Sequence, residues 1–121
     1  MHERHLEEIF KQWYDEKDMI AKSFRERNKQ ATLEPMKKQI ANFLDALFEM
    51  NNLQINSENK IVEQIDKLEL KPINSKERLT FMIDSPNHYH SFIQLSQLYE
   101  ELEKQYRKHL SIEQNKTRIT D

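Results

Sequence analysis

The sequence predicts an all-α fold, a single-domain helical bundle of about five helices, three longer and two short. Apolar residues recur at three- and four-residue steps, which gathers them on one face of a helix. No segment alternates apolar and polar residues as a half-buried strand does. The 121 residues include no glycine, so tight β-hairpin turns lack the residue that suits them. A chain of this length fits one hydrophobic core.

The first two helices carry the strongest apolar stripes. A helix is predicted over residues 2–28, with the stripe Leu6, Ile9, Phe10, Trp13, Ile20 and Phe24. A polar break follows. The second helix is predicted over residues 34–50, with Thr32 or Glu34 as its N-cap and Pro35 in its first turn, where the missing amide donor costs little. Its stripe should lie at the centre of the core: Met36, Ile40, Phe43, Leu44, Leu47 and Phe48.

Two short helices are predicted in the middle of the chain. Ser57 is the expected cap of the first, which ends before an extended linker at residues 69–72. Asn74, followed three residues later by Glu77, predicts a capping box at the start of the second, in which each side chain bonds a backbone amide of the other residue. The apolar residues of the first short helix are Ile61, Val62, Ile65 and Leu68.

The fifth helix is predicted to open with Ser85 as N-cap and Pro86 in the first helical position, and to continue to about Lys108. Residues 1–110 then form a single helical domain, and residues 111–121 form a polar C-terminal tail that is expected to fray. The stripe of this helix is Tyr89, Phe92, Ile93, Leu95 or Ser96, Tyr99, Leu102 and Tyr106.

Composition narrows the classes of function. The net charge of −2 gives no general attraction to nucleic acid or to a membrane. The absence of cysteine excludes disulfides and thiolate metal sites. No stretch approaches the ~20 apolar residues of a membrane span, and the charged N-terminus lacks the apolar region of a signal peptide. We therefore expect a cytoplasmic protein.

Enzymatic activity is not expected from this sequence. Without glycine, the loops that cradle phosphates or present a nucleophile cannot be built, and no cofactor is predicted. His2, His5 and Glu8 lie at successive i, i+3 steps, but a zinc ion held by them would have no fourth ligand. No metal site is predicted.

Two histidines near the start of the fifth helix are candidate functional residues. His88 and His90 are two residues apart, which corresponds to about 200° on a helix, so they are predicted to project to different sides. His90 flanks the apolar stripe. We expect it to be partly buried and bonded to another helix.

Residues 22–38 carry a local excess of four positive charges, and Lys22, Arg25, Lys37 and Lys38 are the candidate contacts to nucleic acid. The fourth and fifth helices are similar to a helix-turn-helix. However, residues 79–103 contain no Lys or Arg to hold phosphates. Nucleic-acid binding is therefore the disfavoured alternative.

Trp13 is the only tryptophan. Its position in the first stripe predicts packing in the core. A partly exposed pair of Trp13 and Tyr14 would instead suit an interface anchor, because both rings combine a large apolar face with a polar end.

Two stretches resemble a known family. Residues 71–79, KPINSKERL, and residues 85–95, SPNHYHSFIQL, are similar to the motif region of the YpoC-like proteins of low-GC Gram-positive bacteria. The resemblance implies a small helical protein without established activity, commonly encoded beside a DnaD-type replication initiator and an endonuclease III. It thus suggests a link to DNA replication or repair and implies no catalytic residue.

Within those stretches, Arg78, Tyr89, His90 and Gln94 have no evident structural task, and they could meet where the fourth and fifth helices join. They would either lock the junction by hydrogen bonds or receive a partner. The leading hypothesis is a non-enzymatic module that docks an unknown protein partner there or through Trp13 and Tyr14. The alternative is direct nucleic-acid binding through residues 22–38. The oligomeric state is left open.

Overall fold

Five helices make up the part of the chain that the structure describes. The computed structural model describes residues 2–55 and 60–120, with side chains through residue 116. Within these residues there is no strand, so the all-α prediction of three longer and two short helices is confirmed. None of these helices is both long and apolar enough to cross a membrane. The helices are α1 (Glu3–Arg25), α2 (Lys29–Met50), α3 (Ile61–Ile65), α4 (Ser75–Asp84) and α5 (Tyr89–Thr120).

The centre of the core is a stack of aromatic rings that joins three helices. Trp13 of α1 is fully buried and lies nearly parallel to Tyr99 of α5, with ring centroids 4.6 Å apart and planes 8° apart. Phe43 of α2 meets the same Tyr99 ring edge-on at 5.2 Å. Burying each ring stabilises the fold by roughly 2–3 kcal/mol. The predicted stripes of α1 and α2 supply 11 of the 23 buried hydrophobic residues in the described core.

A chain of polar groups runs through this core. The Tyr99 hydroxyl donates to the Gln39 backbone carbonyl at 2.8 Å and lies 3.2 Å from its Oε1. The buried Gln39 in turn donates through Nε2 to Glu16 of α1 at 2.6 Å. Burial, reinforced by the carboxylates of Glu16 and Asp45, raises the pKa of Tyr99 well above its ordinary value. Its hydroxyl therefore stays a donor, as a buried polar group requires.

The exposed edge between α1 and α5 is held by charged groups. The Arg107 guanidinium donates to both carboxylate oxygens of Glu7 and reaches Glu103 at 3.3 Å. The Tyr14 hydroxyl donates to Glu103 at 2.9 Å. The hydrogen bond from Arg107 lowers the pKa of Glu7. Glu7 near the start of α1 meets Arg107 well along α5, whereas Phe24 near the end of α1 meets Tyr89 at the start of α5, so the two helices run antiparallel.

The second helix begins earlier than predicted, because Asn28 caps it. Asn28 Oδ1 accepts a hydrogen bond from the Ala31 amide at 3.1 Å. Neither Thr32 nor Glu34 is the cap; Thr32 is buried inside the helix and donates to the carbonyl three residues before it. Pro35 is an interior residue rather than part of the first turn, so the Ala31 carbonyl lacks its usual helical donor.

Three residues with side chains occupy the left-handed conformation that glycine usually supplies: Arg27, Asn52 and Asn74, each with φ of 57°. Arg27 ends α1. Its amide and the next one donate to the carbonyls of Phe24 and Ser23 at 3.0 and 3.1 Å, which is the Schellman pattern of a helix C-terminus. A left-handed arginine costs about 1–2 kcal/mol, and asparagine tolerates the conformation better.

The predicted capping box at Asn74 and Glu77 is wrong. Asn74 is left-handed and its side chain makes no cap bond, whereas an N-cap residue normally has an extended backbone. The start of α4 is held instead by Ser75, whose buried hydroxyl donates to the Pro72 carbonyl at 2.5 Å. Ser57, the predicted cap of the third helix, lies outside the described residues.

The fifth helix begins and ends later than predicted. Ser85 and Pro86 precede it in a turn that the His88 amide closes by donating to the Ser85 carbonyl at 3.2 Å, and proline suits the second position of such a turn. At the other end, the helix continues past Leu110 to Thr120. Glu113, Gln114 and Lys116 there are good helix formers, and extending an existing helix adds one backbone hydrogen bond per residue.

Replacing Arg27 by glycine should stabilise the protein. The change relieves the left-handed strain, and after the extra backbone entropy of glycine in the unfolded chain the net gain is about 0.5–1 kcal/mol. Urea unfolding of Arg27→Gly measures it. Asn52→Gly is the matched control at the end of α2, where the gain should be smaller. A free energy of unfolding lower in Arg27→Gly than in the unchanged protein would contradict the claim that the left-handed Arg27 is strained.

The stability of the protein should fall above about pH 10. Burial and the neighbouring carboxylates of Glu103 and Glu7 raise the pKa values of Tyr14 and Tyr106 from 10.0 to about 12. The unfolded chain therefore ionises these tyrosines first, so their stabilisation is complete below pH 10 and is lost as the pH rises through 12. Urea unfolding across this range measures the loss. Tyr14→Phe should lose less stability per pH unit, and an unchanged slope would exclude Tyr14 as a contributor.

Candidate functional site

Arg78 forms a hydrogen-bonded lock between α4 and α5. Its Nε donates to Gln94 Oε1 at 2.8 Å, and its two terminal nitrogens donate to the carboxylate oxygens of Glu101 at 3.1 and 2.6 Å. One of them also reaches the Ile73 carbonyl at 3.1 Å. The Arg78 side chain is only 15% exposed, so solvent screens this bidentate pair less than a surface pair. Arg78 and Gln94 thus meet, as the sequence predicted.

His88 is the N-cap of α5. Its Nδ1 accepts a hydrogen bond from the His90 amide at 3.1 Å. The imidazoles of His88 and His90 both contact the Phe81 ring of α4 edge-on, with centroids 5.8 and 5.3 Å away. The prediction that they project to different sides is wrong, because His88 precedes the helix and the helical angle between them does not apply.

His90 is exposed rather than partly buried. Its Nε2 lies 3.5 Å from Gln94 Nε2 of the same helix, and its contact with another helix is the Phe81 ring rather than a hydrogen bond. The expected bond to another helix is therefore wrong. The His90 side chain lies on the outer side of the first turn of α5, whereas Ser91 and Phe92 of the same turn are buried.

Tyr89 does not join Arg78 and Gln94. Its ring packs against Phe24 of α1, with centroids 5.7 Å apart, and remains 55% exposed. It lines a cleft of about 430 Å³ between the turn that joins α1 to α2 and the turn that joins α4 to α5, which we call the junction cleft. Other residues that line the junction cleft include Phe24, Arg27, Lys29, Asn87 and His88.

Trp13 is not an interface anchor. Its side chain is fully buried in the aromatic stack, so the prediction of core packing is confirmed. The neighbouring Tyr14 is partly exposed, and its hydroxyl is engaged with Glu103. A pair formed by Trp13 and Tyr14 cannot therefore receive a partner without opening the core.

The four nucleic-acid candidates are not equally available. Lys38 donates to Glu16 at 2.7 Å, beside a groove between α1 and α2. Lys22 lies 3.9 Å from Glu26 on its own helix. The cations that line the junction cleft are Arg27 and Lys29. Both belong to the basic stretch, but neither was among the four candidates.

The histidines at the N-terminus occupy ordinary surface positions. His2 lies 3.7 Å from Glu49 through Nε2, and its amide donates to the same carboxylate at 3.0 Å. His5 and Glu8 lie on the same side of α1 by their spacing. Among the described residues, no three or more His, Asp or Glu side chains are placed to hold a metal ion.

Comparison with known proteins gives one match. A family model described as YpoC-like protein matches residues 3–114. The chain belongs to the YpoC-like family. The match confirms the resemblance carried by residues 71–79 and 85–95, and it extends to α1 and α2 of this YpoC-like chain. No curated protein and no solved structure matches it significantly.

Sequence reasoning missed several residues of this site in the YpoC-like chain. Glu101 completes the lock but is 23 residues from Arg78, and only the register of two antiparallel helices brings the pair together. Phe81 was not singled out, although its ring lies at the surface beside both histidines. Arg27 and Lys29 had one available signal, their place beside a helix break.

Arg78→Ala should cost about 2–3 kcal/mol of unfolding free energy, because it leaves the partly buried Glu101 and Gln94 without their donor. Arg107→Ala is the control. It removes an arginine that also pairs with a carboxylate, but the Arg107 side chain is 50% exposed, so the expected cost is about 1 kcal/mol or less. Unfolding in guanidinium chloride measures the free energy lost in each of the two variants. Equal losses of unfolding free energy in the two variants would contradict the claim that the Arg78 bonds hold α4 on α5 more strongly than a surface ion pair does.

Proposed function

We propose that this YpoC-like protein is a non-enzymatic interaction module that docks a partner protein through the junction of α4 and α5. The docking surface consists of Phe81, His88, Tyr89 and His90, which we call the junction surface. The observation that carries the proposal is that two exposed aromatic rings, Phe81 and Tyr89, lie beside two exposed histidines at this junction. The family resemblance favours a partner from DNA replication or repair.

Exposed apolar side chains are concentrated in one short stretch. The described residues expose eight large hydrophobic side chains, and four of them lie within residues 73–89: Ile73, Phe81, Ile83 and Tyr89. Apolar residues scattered singly on a surface are ordinary, whereas a concentration of them marks a candidate binding region. Two of the four, Phe81 and Tyr89, belong to the junction surface.

The backbone beneath the junction surface is ordered before any partner arrives. The Arg78 lock fixes α4 on α5, and the buried Ser91 hydroxyl donates to the Ser85 carbonyl at 2.6 Å across the turn. The His88 cap fixes the first turn of α5. A preorganised surface loses little conformational entropy on binding, which favours affinity.

The histidines at this junction favour contact over catalysis. His88 uses Nδ1 as a helix cap, and His90 contacts a phenylalanine edge. A general base is normally oriented by a carboxylate or carbonyl that bonds its second nitrogen. Neither histidine has such a partner among the described side chains. We therefore assign them to recognition.

A photo-reactive benzophenone amino acid placed at position 81 or 89 should crosslink the same protein in nuclease-treated lysate. Positions 53 and 112 are the matched controls, because Leu53 and Ile112 are also exposed apolar residues but lie near the ends of α2 and α5 that are remote from the junction. With the purified partner, Phe81→Ser and Tyr89→Ser should each weaken binding about tenfold or more, as central aromatic contacts do.

Crosslinks of equal yield at all four positions, or unchanged affinity in both serine variants, would exclude the junction surface as the docking site. Arg78→Ala is unsuitable for this test. It removes the lock and would disturb the surface indirectly.

Nucleic-acid binding through residues 22–38 is the second candidate, favoured by the excess of four positive charges in this stretch. It requires an affinity for an oligonucleotide that falls steeply with salt and that vanishes when Lys22, Arg25, Lys37 and Lys38 are replaced together. The pairs that Lys38 forms with Glu16 and Lys22 with Glu26 weigh against it. Binding that is insensitive to salt would remove it.

A further inference from the structure

The charged residues described in the lining of the junction cleft are all positive, whereas the protein as a whole carries charges of both signs. Arg27 and Lys29 line the cleft, and no Asp or Glu is among the described residues that line it. Neither cation forms an ion pair within the described residues, whereas Lys22, Lys38 and Arg107 all have carboxylate partners. The chain as a whole is slightly acidic. The described lining of the cleft therefore carries two positive charges and no negative charge to offset them.

The floor of the junction cleft is aromatic. Tyr89 and Phe24 meet edge-on at 5.7 Å, and both rings rest on Phe92, at 6.2 and 5.6 Å. This support fixes the Tyr89 ring while leaving half of it exposed. A fixed ring beside two exposed cations suits an apolar side chain and an acidic group that arrive together.

From this geometry we propose that the junction cleft binds a short acidic segment of the partner protein, with carboxylates on Arg27 and Lys29 and an apolar side chain on Tyr89. The inference rests on the proposed function and adds the chemistry of the partner. His88 connects the two regions, because it lines the cleft and its ring also contacts Phe81 of the junction surface. The acidic segment thus extends from the cleft onto that surface.

A nucleic acid is the less suitable anion. A phosphate backbone carries charge at every nucleotide and needs a row of cations along its path. Outside the cleft the path is interrupted, since Lys22 and Lys38 lie beside carboxylates and residues 79–103 supply no Lys or Arg. Two adjacent cations and one aromatic ring match an acidic segment with an apolar anchor instead.

Arg27 permits a clean experiment. It is left-handed, so Arg27→Gly removes the charge while relieving backbone strain, and the variant remains folded. Lys29→Gln removes the second charge at an exposed position at the start of α2. The control is Lys104→Gln with Lys108→Gln, which removes the same charge from exposed positions about 22 Å or more from the start of α5.

The probe is a phage-displayed library of random peptides of about a dozen residues, selected on the full-length chain. We expect the selected peptides to be enriched in Asp and Glu. Their affinity, measured by fluorescence anisotropy, should fall about tenfold or more in the Arg27→Gly, Lys29→Gln double variant, which corresponds to the loss of two close charge pairs. The Lys104→Gln, Lys108→Gln control should change it less than about threefold.

Selected peptides without an acidic excess, or equal affinity in the cleft variant, would overturn the inference. If such peptides still require Phe81 and Tyr89, the proposed function stands and only the chemistry of the partner is wrong. If no peptide is selected and no crosslink forms at position 81 or 89, both the inference and the proposed function are overturned. A single-stranded oligothymidine that binds through Arg27 and Lys29 while acidic peptides do not would overturn the inference in favour of nucleic acid.

Discussion

The stacking of Trp13 on Tyr99 is the contact on which the other parts of the bundle depend. It joins the middle of α1 to the middle of α5, and the Tyr99 hydroxyl then reaches α2 through Gln39. A buried hydroxyl is normally hydrogen-bonded, so this bond favours the observed register of the three long helices. That register sets the positions at which Glu7 meets Arg107 and Phe24 meets Tyr89.

The apolar stripes were predictable because burial follows a simple period. Leu6, Phe10 and Trp13 are buried as their spacing predicts. The helix ends were not predictable, because caps depend on backbone angles that the sequence does not reveal. Asn74 has the right side chain for a cap and the wrong conformation, and His88, an uncommon cap, serves instead.

The candidate site was predictable only where its residues are near in sequence or share a helix junction. Arg78 and Gln94 were placed together because two adjacent helices must face each other. The partnership of Tyr89 with Phe24 could not be predicted, because it requires the far end of α1 to reach the start of α5. The sequence likewise does not show which cations of residues 22–38 pair with carboxylates and which line the junction cleft, because this depends on how the helices pack.

The lack of glycine has a consequence for the unfolded chain. A typical protein of this length would contain about eight glycines, each adding conformational freedom that folding has to remove at about 0.4–1 kcal/mol relative to alanine. This chain is stiffer when unfolded and loses less entropy when it folds. The absence of glycine costs conformational energy at three described positions, Arg27, Asn52 and Asn74, which are left-handed. In return, the unfolded chain has fewer accessible conformations along its entire length.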